Sequence, residues 1–198
     1  MRVLVACEFS GTVRDSFIRA GHEAVSCDLL PSECKGPHYE GDVRDILDAG
    51  WDLMIAHPPC TYLCASGLHW NKRVPGRAQK TEEAVEFVMT LANARIERIC
   101  IENPVGCLST RWRKPDQIVQ PYFFGDDASK ATCLWTKGLP QLIKTKYVEP
   151  RLVNGKPRWS NQTDSGQNKL PPSKDRWALR SVTYKGLAEA MANQWGRL

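Results

Sequence analysis

The 198-residue sequence predicts an α/β protein, a mostly parallel sheet with helices on both faces. Three observations predict it. Short apolar, β-branched runs alternate with segments of helical periodicity. Their order, strand–helix–strand–loop–strand–helix–strand, is that of parallel strands joined by crossovers. Each unusual motif also follows the end of a strand, where open α/β sheets bind ligands.

The elements follow in order. "RVLVAC" (2–7) is a buried first strand that meets the turn "EFSGT". In "VRDSFIRAG", Val13, Phe17 and Ile18 recur at helical spacing and Gly21 is a C-cap. "HEAVSCDL" is a second strand ending in Asp28, followed by a loop with Pro31 and Pro37 and then "GDVRDIL". "WDLMIA" is a strand halted by His57-Pro58-Pro59-Cys60, since prolines donate nothing to a ladder. After a polar loop (61–80), "TEEAVEFVMTLANA" is a helix with Thr81 as N-cap and Val85, Val88 and Met89 on one apolar face. "RICIEN" (98–103) is a strand stopped by Pro104, "KATCLW" is one more, and "TYKGLAEAMANQW" is a closing helix. Residues 1–198 are expected to form one domain, with 136–180 as a short loop-rich insertion.

Composition narrows the class. At 42% hydrophobic and 25% charged, the chain is ordinary soluble globular material. No stretch approaches the roughly 20 apolar residues of a membrane span. The opening "MRVLVACEF" is expected to be a core strand rather than a signal peptide. The eight cysteines include no Cys-x-x-Cys pair, which predicts neither a disulfide framework nor a zinc site and places the protein in a reducing, cytoplasmic compartment. Net charge is +5, with the basic residues gathered in 69–80, 111–114 and 143–180 near Trp70, Trp112, Trp159 and Trp177. Such company suits a nucleic-acid partner, and a solvated face is the alternative for each cluster.

The candidate chemistry sits at the strand ends. In "EFSG", Gly11 permits close backbone approach, and the following helix offers its amides to a nucleotide-like cofactor or simply makes a strand–helix turn. Asp28 suits a ribose diol or is a surface carboxylate. Asp42 either accepts from an adenine amino group or caps "VRDIL". Cys60, beyond a rigid turn, is placed as a nucleophile. Glu102, at the end of an apolar strand, is a carboxylate whose burial is costly unless it is paired or performs work.

"HPPC" followed by "IENP" resembles the Pro-Cys and Glu-Asn-Val motifs of DNA cytosine-5 methyltransferases. The remaining blocks keep that family's order. "EFSGTVRDSFIRAGHEAVSCD" resembles its cofactor turn, helix and acidic strand end, and "GDVRDI" its Gly-Asp-Ile motif. "SKATCLW" lies where its Gln-x-Arg-x-Arg strand falls, and "RSVTYKGLAEAMANQW" resembles its closing helix. The likeness spans roughly 1–135 and 180–198. It implies a Rossmann-like S-adenosylmethionine-dependent fold in a compact, phage-like member, cytoplasmic in a bacterial or phage-infected host. DNA is then the partner, as a duplex with a flipped cytosine or as a single strand.

The resemblance implies Cys60 as the nucleophile toward C6 of cytosine, Glu102 as the group that binds the ring's N3 side, and Lys130 as the nearest basic residue to the absent Arg-x-Arg. It implies a cofactor site of Glu8, Phe9, Ser10, Gly11, Asp28, Leu29, Asp42, Val43 and Pro58. Pro59, Asn103, Pro104, Arg111 and Arg113 would face the substrate, with Asn103 positioning Glu102 and the proline turn. The sequence departs from the pattern at His57 and the second proline, and at Tyr184-Lys185-Gly186 in place of Gly-Asn. The short 136–180 segment predicts low sequence specificity, or specificity supplied by a partner subunit. Within it, 143–175 is expected to face DNA or to be a flexible insertion. Three other readings stand beside this one: an amino-methyltransferase using the "HPPC" turn, C5 modification of another pyrimidine or a free nucleotide, and a non-catalytic DNA-binding accessory protein.

Overall fold

The computed structural model describes residues 1–198. Its first half runs β1 (Arg2–Ala6), α1 (Thr12–Arg19), β2 (Glu23–Asp28), β3 (His38–Glu40), β4 (Leu53–Ala56), α2 (Ala65–Leu68) and α3 (Arg77–Ala92). The second half runs β5 (Arg98–Pro104), α4 (Leu108–Arg111), β6 (Gln117–Val119), β7 (Thr132–Lys137), β8 (Arg151–Val153), β9 (Lys156–Arg158), α5 (Arg176–Ser181) and α6 (Lys185–Trp195).

Seven strands form one sheet in the order β3-β2-β1-β4-β5-β7-β6. The first five are parallel, and β7 runs antiparallel to both of its neighbours. This is an α/β architecture compatible with a Rossmann-like fold. The strand order reverses between β1 and β4, so a crevice opens at their carboxyl ends.

The central strands are apolar throughout because both of their faces are covered. Val3, Val5, Leu53 and Ile55 join Val13, Phe17, Met191 and Trp195 of α1 and α6 in one core. The alternate residues Leu4, Ala6, Met54, Ala56, Ile99 and Ile101 join Val88 and Leu91 of α3 in a second core. Helices thus flank the sheet on both sides. No helix is long and apolar enough to cross a membrane.

Several expectations are corrected. On α1, Val13 and Phe17 are buried, but Ile18 lies one position round the helix and is exposed. Arg14 is buried in its place. Its guanidinium donates to the hydroxyls of Ser26 and Ser32 and to the carbonyl of Lys35, tying the 29–37 loop to β2. The chain passes the guanidinium at Gly36 (φ +149°), where a Cβ would fall 2.7 Å from it. The second long helix starts at Arg77 after Gly76, not at Thr81. Thr81 is instead buried within α3 and donates to the Tyr62 carbonyl (3.1 Å). β5 does not stop before Pro104 but pairs with β7 through Glu102, Asn103 and Pro104. The short strands β3 and β6 carry too few residues to show periodicity in the sequence.

The 136–180 segment is built rather than featureless. β8 and β9 form a separate hairpin. Trp159 is buried, stacks on Tyr122 (3.9 Å between centroids, 9° between planes) and donates to the Val148 carbonyl (3.1 Å). Asn161 holds both the amide and the carbonyl of Ser129. The Trp159→Ala substitution should therefore lower stability by about 3–5 kcal/mol, the usual cost of emptying an aromatic site. Urea unfolding monitored by circular dichroism checks this.

Candidate active site

The site is set by the pairing of β4 with β5. The two strands run in parallel with Leu53 opposite Arg98 and Ala56 opposite Ile101, and the next rung brings His57 opposite Glu102. The His57 amide still bonds to the Ala6 carbonyl (2.9 Å), so the ladder holds up to this residue. His57 Nδ1 then lies 2.9 Å from Glu102 Oε2, with both side chains nearly buried. One rung on, Asn103 Nδ2 donates to the Pro58 carbonyl (2.8 Å).

Past the prolines, the Cys60 carbonyl accepts from the amides of Leu63 and Cys64, forming a tight turn that leaves Cys60 exposed. This turn is clasped to the chain leaving β5. Cys107 N donates to the Leu63 carbonyl (2.8 Å) and Ala65 N to the Val105 carbonyl (3.1 Å). Gly106 makes the approach possible, because a Cβ there would collide with the Leu63 carbonyl.

Electrostatics differentiate the two reactive groups. Burial pushes the Glu102 carboxyl up, but the His57 hydrogen bond and the charges of Lys130 and His57 outweigh it and hold Glu102 below the usual carboxylate range. Glu102 is therefore ionised at neutral pH. Cys60 is exposed as a residue, but the protein packed around its sulfur partly desolvates the thiol and pushes it up, helped by Cys64 and Glu102 and opposed by Lys130. Lys130 Nζ donates to the Arg180 carbonyl (3.0 Å), and its charge acts on both groups. Two buried polar atoms here, His57 Nε2 and Asn103 Oδ1, have no hydrogen-bond partner in the chain. Buried polar atoms are normally satisfied, so unsatisfied ones at a strand end are available to a ligand.

A cavity of about 170 Å³ opens at the carboxyl ends of β1 and β2, lined by Cys7, Cys27, Asp28, Leu29, Gly41, Asp42, Val43, Arg44, Pro59 and Phe87. It brings Asp28, Leu29, Asp42 and Val43 together with Pro59. Asp28 Oδ1 accepts from Leu30 N, and burial, partly offset by that bond, pushes its carboxyl up. The Leu29 amide also approaches the Asp28 carboxylate, which stands in the cavity wall. Asp42 caps the turn after β3 by accepting from Arg44 N (2.9 Å), and the Arg44 guanidinium binds both of its oxygens. The capping role is the one Asp42 performs. A cavity this size takes one ring system of a ligand; drug-sized ligands fill roughly 300–1,000 Å³.

No protein-family model and no curated protein matches the chain at a significant level.

The remaining expected residues lie as follows. Glu8 is buried and its carboxylate accepts from Val13 N (2.7 Å) and Arg14 N (3.2 Å), with Ser10 Oγ alongside (3.3 Å). It caps α1, so those amides serve the fold and are not open to a cofactor. Gly11 (φ +74°) makes the bend before the helix. Phe9 is buried near the exposed Trp177 of α5 (5.9 Å). Arg111 pairs with Glu82 of α3 (2.6 Å), and Arg113 with Asp116 (2.7 Å) and the Thr136 carbonyl. Both arginines thus have structural partners. Pro104 occupies the last β5 rung opposite Thr132. Gly186 donates to Asp126 at the start of α6. Of the four tryptophans set beside basic clusters, Trp159 is buried and Trp112 packs on Trp135 (6.0 Å), leaving Trp70 and Trp177 exposed. The eight cysteines are free, and no group of His, Cys, Asp or Glu comes together that could hold a metal ion.

Sequence reasoning missed Cys7 and Phe87 as cavity walls. Cys7 follows β1 in a left-handed conformation (φ 59°), a strained state for a residue with a side chain. Nothing in the sequence signals that φ. Phe87 belongs to α3, whose register alone aims it at the cavity.

Two outcomes follow. Because its thiol titrates high, Cys60 should alkylate with iodoacetamide slowly at neutral pH and faster above the ordinary thiol range of about 8.5. Lys130→Ala should move that rise to higher pH still, and peptide mass spectrometry across the pH series reads both. Gly106→Ala should cost about 1–3 kcal/mol through overpacking and loosen the Cys60 turn. Thermal unfolding of the variant measures it.

Proposed function

We propose that the protein is a cytosine-C5 methyltransferase acting on DNA through a Cys60–C6 adduct. The observation that carries this reading is the juxtaposition at the ends of β4 and β5. A cysteine stands exposed beyond a proline turn, and the carboxylate of Glu102 is held by His57 in the rung beside that turn. The two motifs leave adjacent parallel strands, and register sets His57 beside Glu102, three residues before Cys60.

C6 of cytosine is a weak electrophile, and thiolate attack makes C5 nucleophilic. Cys60 forms the bond to C6. Glu102, with one carboxylate oxygen on His57, has the other for the ring's N3 side. A charged group placed where charge develops is worth most in a site shielded from water. The charge of Lys130 favours the thiolate of Cys60. Asn103 fixes the proline turn relative to β5. In a duplex the base must leave the stack to reach these groups. The exposed Trp70 and the basic residues of 69–80 lie on the chain leaving the Cys60 turn, where a strand of DNA would pass.

The cavity suits the adenine ring of S-adenosylmethionine, with the ribose at its Asp28 edge. Its apolar walls suit a purine, the Asp28 carboxylate can accept from the ribose diol, and Pro59 joins the cavity to the Cys60 turn. Asp28, Leu29, Val43 and Pro59 would hold the cofactor, which when bound supplies an electrophilic methyl group for C5. Glu8 and the α1 amides are not among its ligands.

The amino-methyltransferase reading gives Cys60 no role and leaves the built Glu102 site unexplained. Mass spectrometry of the protein with DNA containing 5-fluorocytosine plus S-adenosylmethionine tests the choice. A covalent adduct at Cys60, abolished in Cys60→Ser, is expected. Methylation that survives Cys60→Ser would support the amino-methyltransferase instead, and DNA binding without adduct or methylation an accessory role. Calorimetry should show cofactor binding weakened about tenfold or more by Asp28→Ala, the loss of a charge-assisted hydrogen bond.

A further inference from the structure

We propose that His57 is a positioning residue that stores the proton Glu102 delivers to the substrate ring. The inference rests on the cytosine-C5 reading above and concerns how the carboxylate of that site comes by a proton.

The geometry is specific. His57 and Glu102 occupy the same register position on adjacent parallel strands, Nδ1 lies 2.9 Å from Oε2, and the side chains are 9% and 11% exposed. The imidazole makes one hydrogen bond, because Nε2 has no partner in the chain. His57 therefore has a single anchored outlet, the carboxylate.

The chemistry asks Glu102 for a proton that it does not carry. Its surroundings, chiefly the His57 hydrogen bond and the charge of Lys130, overcome the burial penalty and keep it ionised at neutral pH. The titratable groups facing it are His57, Lys130, Cys60, Cys100 and Cys133. Lys130 has its Nζ on the Arg180 carbonyl and makes no hydrogen bond to Glu102 through which a proton could pass. Desolvation pushes all three thiols up, and Cys60 is the nucleophile. An imidazole is the one side chain that ordinarily changes charge between about pH 5 and 8. His57 is the group that can give a proton and take it back in each cycle.

The step balances as follows. As Cys60 Sγ bonds to C6, the C5=C6 pair moves to C4–C5 and the C4=N3 pair to N3. Glu102 takes the proton from His57 Nδ1 and hands it to N3, ending ionised as it began. The C4=C5 pair then bonds C5 to an incoming electrophile, a proton from water in the exchange assay, as the N3 pair re-forms C4=N3. C5 next loses its original hydrogen to water as a proton, its bond pair re-forms C4=C5, and the C4=N3 pair returns to N3. N3 then returns its proton through Glu102 to Nδ1, C5=C6 re-forms, and Sγ leaves with the C6–S pair.

The test needs no cofactor. The adduct's C5 exchanges hydrogen with water, so tritium release from DNA containing [5-³H]cytosine follows adduct formation directly. With wild type, the rate should fall on the alkaline side where the coupled His57–Glu102 pair loses its last proton. His57→Gln keeps an N–H donor for Glu102 but stores no proton. Its exchange at pH 7.5 should drop about 10- to 100-fold, in the lower range of general-acid effects. Its alkaline limb should move about one to two pH units toward acid, where a carboxyl must hold the proton alone. A uniform loss with the limb unmoved, or no loss, would overturn the proposal. A measurement on wild type alone guards against a poorly folded variant. With ¹³C-labelled glutamate and ¹⁵N-labelled histidine, the Glu102 carboxyl and His57 Nδ1 signals should move together across the alkaline limb of the exchange rate, and a Glu102 signal unmoved there would also overturn it. Absence of both exchange and the 5-fluorocytosine adduct with wild type would instead sink the methyltransferase reading and this inference with it. Exchange by wild type with an unmoved limb sinks this inference only.

Discussion

Everything distinctive about the site depends on the register between β4 and β5. Ala56 pairs with Ile101, and the same offset carried one and two rungs further sets His57 beside Glu102 and Pro58 beside Asn103. The strands are held in that register by their own burial. Leu53 and Ile55 pack with α1 and α6, while Met54 and Ala56 face α3. A slip of one residue would exchange these two faces and pull the imidazole off the carboxylate. The two cores that stabilise the sheet thus also align the reactive groups at its edge.

The edge is held from outside the ladder as well. Gly106 lets the chain leaving β5 press against the Leu63 carbonyl, so the turn bearing Cys60 is gripped by the strand bearing Glu102. Pro59 belongs both to that turn and to the wall of the cavity at the ends of β1 and β2. Cys60 and the cavity are therefore joined through a single residue whose φ is fixed by its ring. A buried carboxylate and a thiol of raised affinity for protons are expensive neighbours, and the ammonium of Lys130 offsets part of that cost for both.

The strands that bear the site were legible because each is a continuous apolar run ending in an unusual turn. So was the closing helix, whose periodicity matches its burial, and so was α1 apart from Ile18. What stayed hidden was set by tertiary context. The start of α3 at Gly76 was masked by Thr81, a good capping residue that the fold uses for a bond to Tyr62. Nothing in the sequence signals that Arg14 is buried, because it is the 29–37 loop that wraps its guanidinium. The motif residues Cys60 and Glu102 could be picked out singly, but the histidine between strand and prolines could not be interpreted without the register. Arg111 and Arg113 have the chemistry expected of substrate ligands, and only their positions reveal Glu82 and Asp116 as their partners.

Glu8 carries a consequence for ligand choice. In folds of this layout, the first strand–helix turn commonly presents bare amides that attract phosphate. Here the chain supplies its own anion: the carboxylate of Glu8 occupies the amides of Val13 and Arg14 and neutralises the positive end of α1. A pyrophosphate-bearing dinucleotide would meet a buried negative charge where it needs donors. The same charge is no obstacle to a ligand that is neutral or cationic near this turn. A fold widely used to bind anions has in this chain been turned, by one glutamate, against them.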